Sequence, residues 1–209
     1  MENKNGQGIF YGVIGVATLI VAIIGATFAY FSASATNGAD VINGTTGQGG
    51  QLALAVNKEA PTGTPGKFVP LNVADGTSQL ASALSGGCVD SNGNTVCGIY
   101  SITITNNGDT GVTVSGTMTL TSEATNMKWK LLTNATTDNG ETTYVGPGTS
   151  GDIASNVQLS ASGTQTYYVM VWLEETGNPQ DTPDANKGFS GSVTFQAAGG
   201  TGLTATFSS

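Results

Sequence analysis

The chain is 209 residues long, carries a net charge of −8 and has charge on only 10% of its residues. Its six basic residues are scattered singly, so the sequence offers no cluster to neutralise phosphates, which argues against nucleic-acid binding. Histidine is absent, which removes the commonest general base and the commonest zinc ligand together.

Residues 1–8 form a short polar leader with Lys4 in it. Ile9–Phe31 follows as twenty-three residues without a charge, long enough to cross the roughly 30 Å hydrocarbon core of a bilayer as a helix. Gly12, Gly15 and Gly25 weaken such a helix in water but let backbones approach closely in a membrane. Thr27 and Ala29 satisfy the small-residue rule of signal peptidase, as do Ala33 and Ala35 for a later cut.

The end of this stretch, Gly25-Ala26-Thr27-Phe28-Ala29-Tyr30-Phe31-Ser32, resembles the terminus of the signal peptides of the TasA/camelysin family, at Gly25, Thr27, Phe28 and Ala29. Members of that family are exported fibre-forming proteins of Gram-positive bacteria with a SipW-type signal peptide. The resemblance implies cleavage between Ala29 and Tyr30, so that residues 1–29 are a signal peptide or hydrophobic helix. Ala39-Asp40-Val41-Ile42 and Gly50–Val56 are similar to the family's opening, an apolar strand, a Gly and a Leu-x-Leu strand.

Residues 30–50 read as a flexible N-terminal segment, since Asn37–Gly50 is mostly Gly, Thr, Asn and Gln. Its apolar island, Val41 and Ile42, is the candidate donor strand. Leu52, Leu54 and Val56 alternate with small residues as a half-buried strand, and turn formers fill Lys58–Gly66. A short helix is expected within Asp75–Leu84, with Leu80 and Leu84 on one face. Cys88 and Cys97 flank Asp90-Ser91-Asn92-Gly93-Asn94, a reversing loop that lets the two sulfurs meet as a disulfide in an exported chain. The same loop lacks the Gly and Glu that a calcium loop needs at its sixth and twelfth positions, where Thr95 and Ser101 stand.

Beyond Cys97 the period is two. Tyr100, Ile102 and Ile104 lead through Asn106-Asn107-Gly108-Asp109 to Val112, Val114, Met118 and Leu120, which reads as a hairpin. Met127–Leu132 and Thr142–Val145 are shorter strands, and Thr166–Glu174 is the strongest core strand. Phe189, Val193 and Phe195 begin a closing hairpin that ends in Leu203, Ala205 and Phe207. The fold class expected is all-β: an antiparallel β-sandwich or jelly roll over residues 51–209, preceded by one N-terminal hydrophobic helix.

Catalytic chemistry finds no constellation. The camelysin branch of the resembled family is associated with metallopeptidase activity, yet the only adjacent carboxylates, Glu174 and Glu175, point to opposite faces of a strand. No enzyme activity, metal or cofactor is expected. Val171–Pro179 resembles the E-box of Gram-positive pilins at Leu173, Glu175, Thr176 and Pro179, where a buried glutamate promotes a Lys–Asn isopeptide bond. Residues 192–198 and 203–209 hold no Asn, so a solvated strand end is the expectation there. Trp129 and Trp172 lie in apolar strands and are expected in the core rather than on a sugar-binding surface. Asn43 and Asn134 stand in N-glycosylation sequons.

These readings converge on a secreted or cell-surface structural subunit that polymerises with itself by donating its N-terminal segment. Two alternatives keep the apolar stretch. Cleavage after Gly8 would leave Ile9 at the start of a type IV-like pilin, and no cleavage would leave a membrane-tethered adhesin or glycan-binding ectodomain. In each case the membrane is a partner, during export or through the retained helix.

Overall fold

The computed structural model describes residues 39–45, 51–62, 67–73, 78–141, 144–177, 184, 187–198, 200 and 202–209, with the backbone alone at 39–45, 51 and 78. All of them belong to one compact unit, Gly38–Ser209. The apolar stretch Ile9–Phe31 and the cleavage positions Ala29 and Tyr30 lie outside the described residues. Among the described residues no helix is long and apolar enough to cross a membrane.

The described residues hold ten strands and one helix, in order: β1 (Ala39–Thr45), β2 (Gln51–Ala60), α1 (Ser78–Ser85), β3 (Cys97–Asn106), β4 (Val112–Ser122), β5 (Met127–Asn134), β6 (Thr137–Asp138), β7 (Ser150–Leu159), β8 (Thr164–Leu173), β9 (Phe189–Ala197) and β10 (Gly202–Ser208). They form a six-stranded sheet, β1-β2-β3-β8-β5-β6, and a four-stranded sheet, β10-β9-β4-β7. Every pairing between these strands is antiparallel. The architecture is thus a two-sheet, sandwich-like all-β fold.

Alternation explains the sandwich core. Leu52, Leu54 and Val56 of β2, Tyr100, Ile102 and Ile104 of β3, and Val169, Val171 and Leu173 of β8 all pack in one buried cluster. They meet Val114, Met118 and Leu120 of β4, Val193 and Phe195 of β9, and Leu203 and Ala205 of β10. Side chains two residues apart share a face, so each strand sends one set inward and its Ser and Thr residues outward.

β8 departs from that alternation because its other face is covered too. Met170 and Trp172 join a second cluster with Ile99, Cys97, Leu132, the α1 residues Leu80, Ala83 and Leu84, and Leu71 and Val73. A strand buried on both faces reads as a continuous apolar run, as Tyr167–Leu173 does. The helix expected within Asp75–Leu84 is observed as α1, and it serves as part of this cover.

One expectation is corrected. β3 and β4 are not a hairpin: β3 pairs with β2 and β8, while β4 pairs with β7 and β9 in the other sheet. Both edges of β3 are filled, so β4 has no place beside it. Buried Asn106 fixes the crossover, its amide donating to Thr110 O at 2.7 Å and Ser160 O at 2.9 Å. Within segment 30–50, Ala39–Thr45 forms β1, which pairs with β2 along seven residues. Backbone pairing needs no particular side chain, which is why a Gly- and Asn-containing stretch accepts it. Of the strand expected at 142–145, the structure shows a bridge between Trp129 and Val145, and residues 142 and 143 lie outside the described residues. The closing hairpin is present as β9 and β10.

Candidate functional site

The N-terminal edge of the large sheet is the first candidate. β2 holds Leu52, Leu54 and Val56 in the core at 1% exposure or less, and its backbone is bonded to β3 on one side and β1 on the other. Val41 is the register partner of Ala55, and Ile42 of Leu54. β1 and β2 both approach β10, so this edge lies where the two sheets come together. The sequence-designated donor residues therefore occupy a sheet edge of their own chain.

The opposite edge of the small sheet is protected differently. β7 shifts register against β4 between Val114 and Gly116 and again between Gly116 and Thr117. It also carries exposed Asp152 and a left-handed Asn156 at φ 49°. Bulges and charge of this kind discourage further strand pairing.

The second candidate is the cover over the large sheet. Cys88 and Cys97 are joined, with a Cα–Cα distance of 4.8 Å, and both are fully buried. Asp90 completes the turn between them, its Oδ1 accepting from the backbone of Asn92 at 2.9 Å and of Asn94 at 2.8 Å. Its Oδ2 accepts from Asn94 Nδ2 at 3.0 Å. These bonds, led by the Asn94 side chain, hold the Asp90 carboxyl below its ordinary value. The carboxylate is thus engaged in the turn.

The remaining sequence candidates separate. Trp129 is 2% exposed and Trp172 is fully buried, so neither offers a stacking surface. Trp172 donates its indole N–H to Glu174, whereas Glu175 Oε1 accepts from the Gly177 backbone at 2.8 Å. The two carboxylates do not converge. Among the described residues no three His, Cys, Asp or Glu side chains gather as a metal site. Asn134 is exposed at the end of β5, its Oδ1 accepting from the Thr136 backbone at 2.9 Å. The Asn43 side chain lies outside the described residues.

Sequence reasoning missed two buried charged groups. Asp184 is 3% exposed and accepts from Asn126 Nδ2 at 2.7 Å and from the Asn126 backbone at 3.3 Å, clamping the turn between β4 and β5. Lys130 of β5 is buried against Asp138 of β6, with Nζ 2.5 Å from Oδ1. The available signal for Lys130 was its place two residues from Leu132, on the same face of an apolar strand.

No family model matches the chain, and no curated protein matches it. Among solved structures it is similar to Spo0M, a sporulation control protein from Bacillus subtilis, at 8% identity and a TM-score of 0.38. That similarity covers 75% of this chain and 47% of the other, so the chain spans about half the length of Spo0M. The putative ApaA protein from Bordetella pertussis is similar at 13% identity and a TM-score of 0.28, covering 76% of this chain and 92% of that one. An ASH/PapD-like domain of human CEP192 is similar at 11% identity and a TM-score of 0.27, covering 73% and 82%.

Proposed function

We propose that the chain is a structural subunit of an extracellular or cell-surface fibre, assembled by donating residues 39–45 to the β2 edge of the next subunit. The observation that carries this reading is the position of β1: an N-terminal strand at a sheet edge, paired only along β2 among the described strands. A strand so placed can leave without unthreading the fold. Its departure exposes the β2 backbone, which an identical strand from a second copy satisfies in the same register.

Donation from each subunit to the next is a head-to-tail contact that does not close on itself, so it yields filaments. Cleavage between Ala29 and Tyr30, implied by the TasA/camelysin resemblance, would free the donor segment after export. The Cys88–Cys97 disulfide agrees with an oxidising, extracellular setting. On this reading the partner is the chain itself, and the protein is structural rather than enzymatic.

The test replaces both apolar donor residues. A Val41→Asp, Ile42→Asp variant is expected to remain folded by circular dichroism and to form no filaments under electron microscopy. Filaments of normal length and number from that variant would overturn the reading.

A further inference from the structure

At the far edge of the large sheet, the Lys130 side chain is only 1% exposed, and its Nζ lies 2.5 Å from Asp138 Oδ1. Ammonium–carboxylate bonds ordinarily run at about 2.7–2.9 Å. Nζ also donates to Glu141 O at 2.6 Å and stands 5.5 Å from the centroid of the Tyr144 ring. Tyr144 packs edge-on against Trp172 at 5.1 Å, and Trp172 in turn donates to Glu174. Tyr144 lies near both carboxylates: its hydroxyl is pushed above its ordinary value by burial first, then by the charges of Glu174 and Asp138. An amine and a carboxyl are therefore in contact beside two aromatic rings.

Burying the Lys130 ammonium is costly, because its desolvation offsets much of its attraction to Asp138, whose side chain keeps 29% exposure. A neutral amide between the same two side chains removes that cost. We propose that Lys130 and Asp138 condense into an intramolecular isopeptide bond. A proton leaves Nζ, the freed lone pair forms the bond to Asp138 Cγ, and one Cγ–O bond breaks. Two of the three ammonium protons depart with that oxygen as water. The third stays on the amide nitrogen, where Glu141 O already accepts it. Charge balances, since a cation and an anion are consumed together, and no oxidant or other reactant is needed.

The bond would tie β5 to β6, a strand of only two residues. The large sheet would then have one covalently closed edge at β6 and one exchangeable edge at β1.

Peptide mapping of the purified, reduced full chain decides the matter. Trypsin should leave Lys130 uncut and release residues 129–187 as one peptide lighter than its sequence by one water. Fragmentation should place that loss on Lys130 and Asp138. Release of residues 131–187 at full mass, or loss of water mapped elsewhere, overturns the proposal. Lys130→Arg should abolish the loss.

Discussion

Gly116 of β4 lies directly beneath the ring of its cross-strand partner Phe195, so closely that a Cβ there would fall 2.6 Å from both Cε1 and Cζ. Phe195 is fully buried and stacks at 5.8 Å against Tyr167 from the other sheet. The ring thus bridges the two layers only because residue 116 has no side chain. Gly116→Ala is expected to destabilise the fold by about 1–3 kcal/mol, the range for overpacking a filled core. Urea denaturation measures this, and adding Phe195→Leu should recover part of the loss.

The disulfide closes the cover over Met170 and Trp172 rather than the sandwich itself. Replacing Cys88 and Cys97 by Ser should cost about 2–3 kcal/mol through the short loop it closes. Hydrogen exchange should locate the loss: faster exchange at Val96 and through α1, with β4 and β9 little changed. Uniform acceleration across both sheets would mean that the cover and the sandwich unfold together.

The acid limb of stability should carry a contribution from Asp90. Its folded value lies below the ordinary 3.8, chiefly because the Asn94 side chain donates to the ionised form. A depressed carboxyl stabilises the fold fully above its unfolded pKa, and this contribution is lost as pH falls through the folded value. Asp90→Asn should therefore melt at lower temperature than the parent near neutrality, with the gap narrowing as pH falls below 3.8. A gap independent of pH would assign the effect to geometry instead.

Much of the core was legible because burial leaves a period in the chain. Ile102, Ile104, Val114 and Met118 declare their strands by alternation, and the spacing of Cys88 and Cys97 declares their disulfide. What no local pattern encodes is which strand lies beside which. Asn106 and Gly108 suit a reversal, but β2 and β8 already occupy both sides of β3, and that decision rests on distant residues. The double burial of β8 was visible as an apolar run, whereas the identity of its second cover, α1 with Leu71 and Val73, was not. Lys130 was hidden for a similar reason. Its partner Asp138 lies across a turn whose course depends on Asn134.

Strand donation can be read directly from which chain supplies the partner of Ala55. Val41 is the register partner of Ala55 in the β1–β2 ladder, so a cysteine at each position can be joined by oxidation. Val41→Cys and Ala55→Cys chains, purified separately, mixed and allowed to form filaments, should yield covalent pairs of one chain with the other on a non-reducing gel. Filaments whose mixed chains run as monomers after oxidation would contradict donation and leave β1 bonded within its own chain.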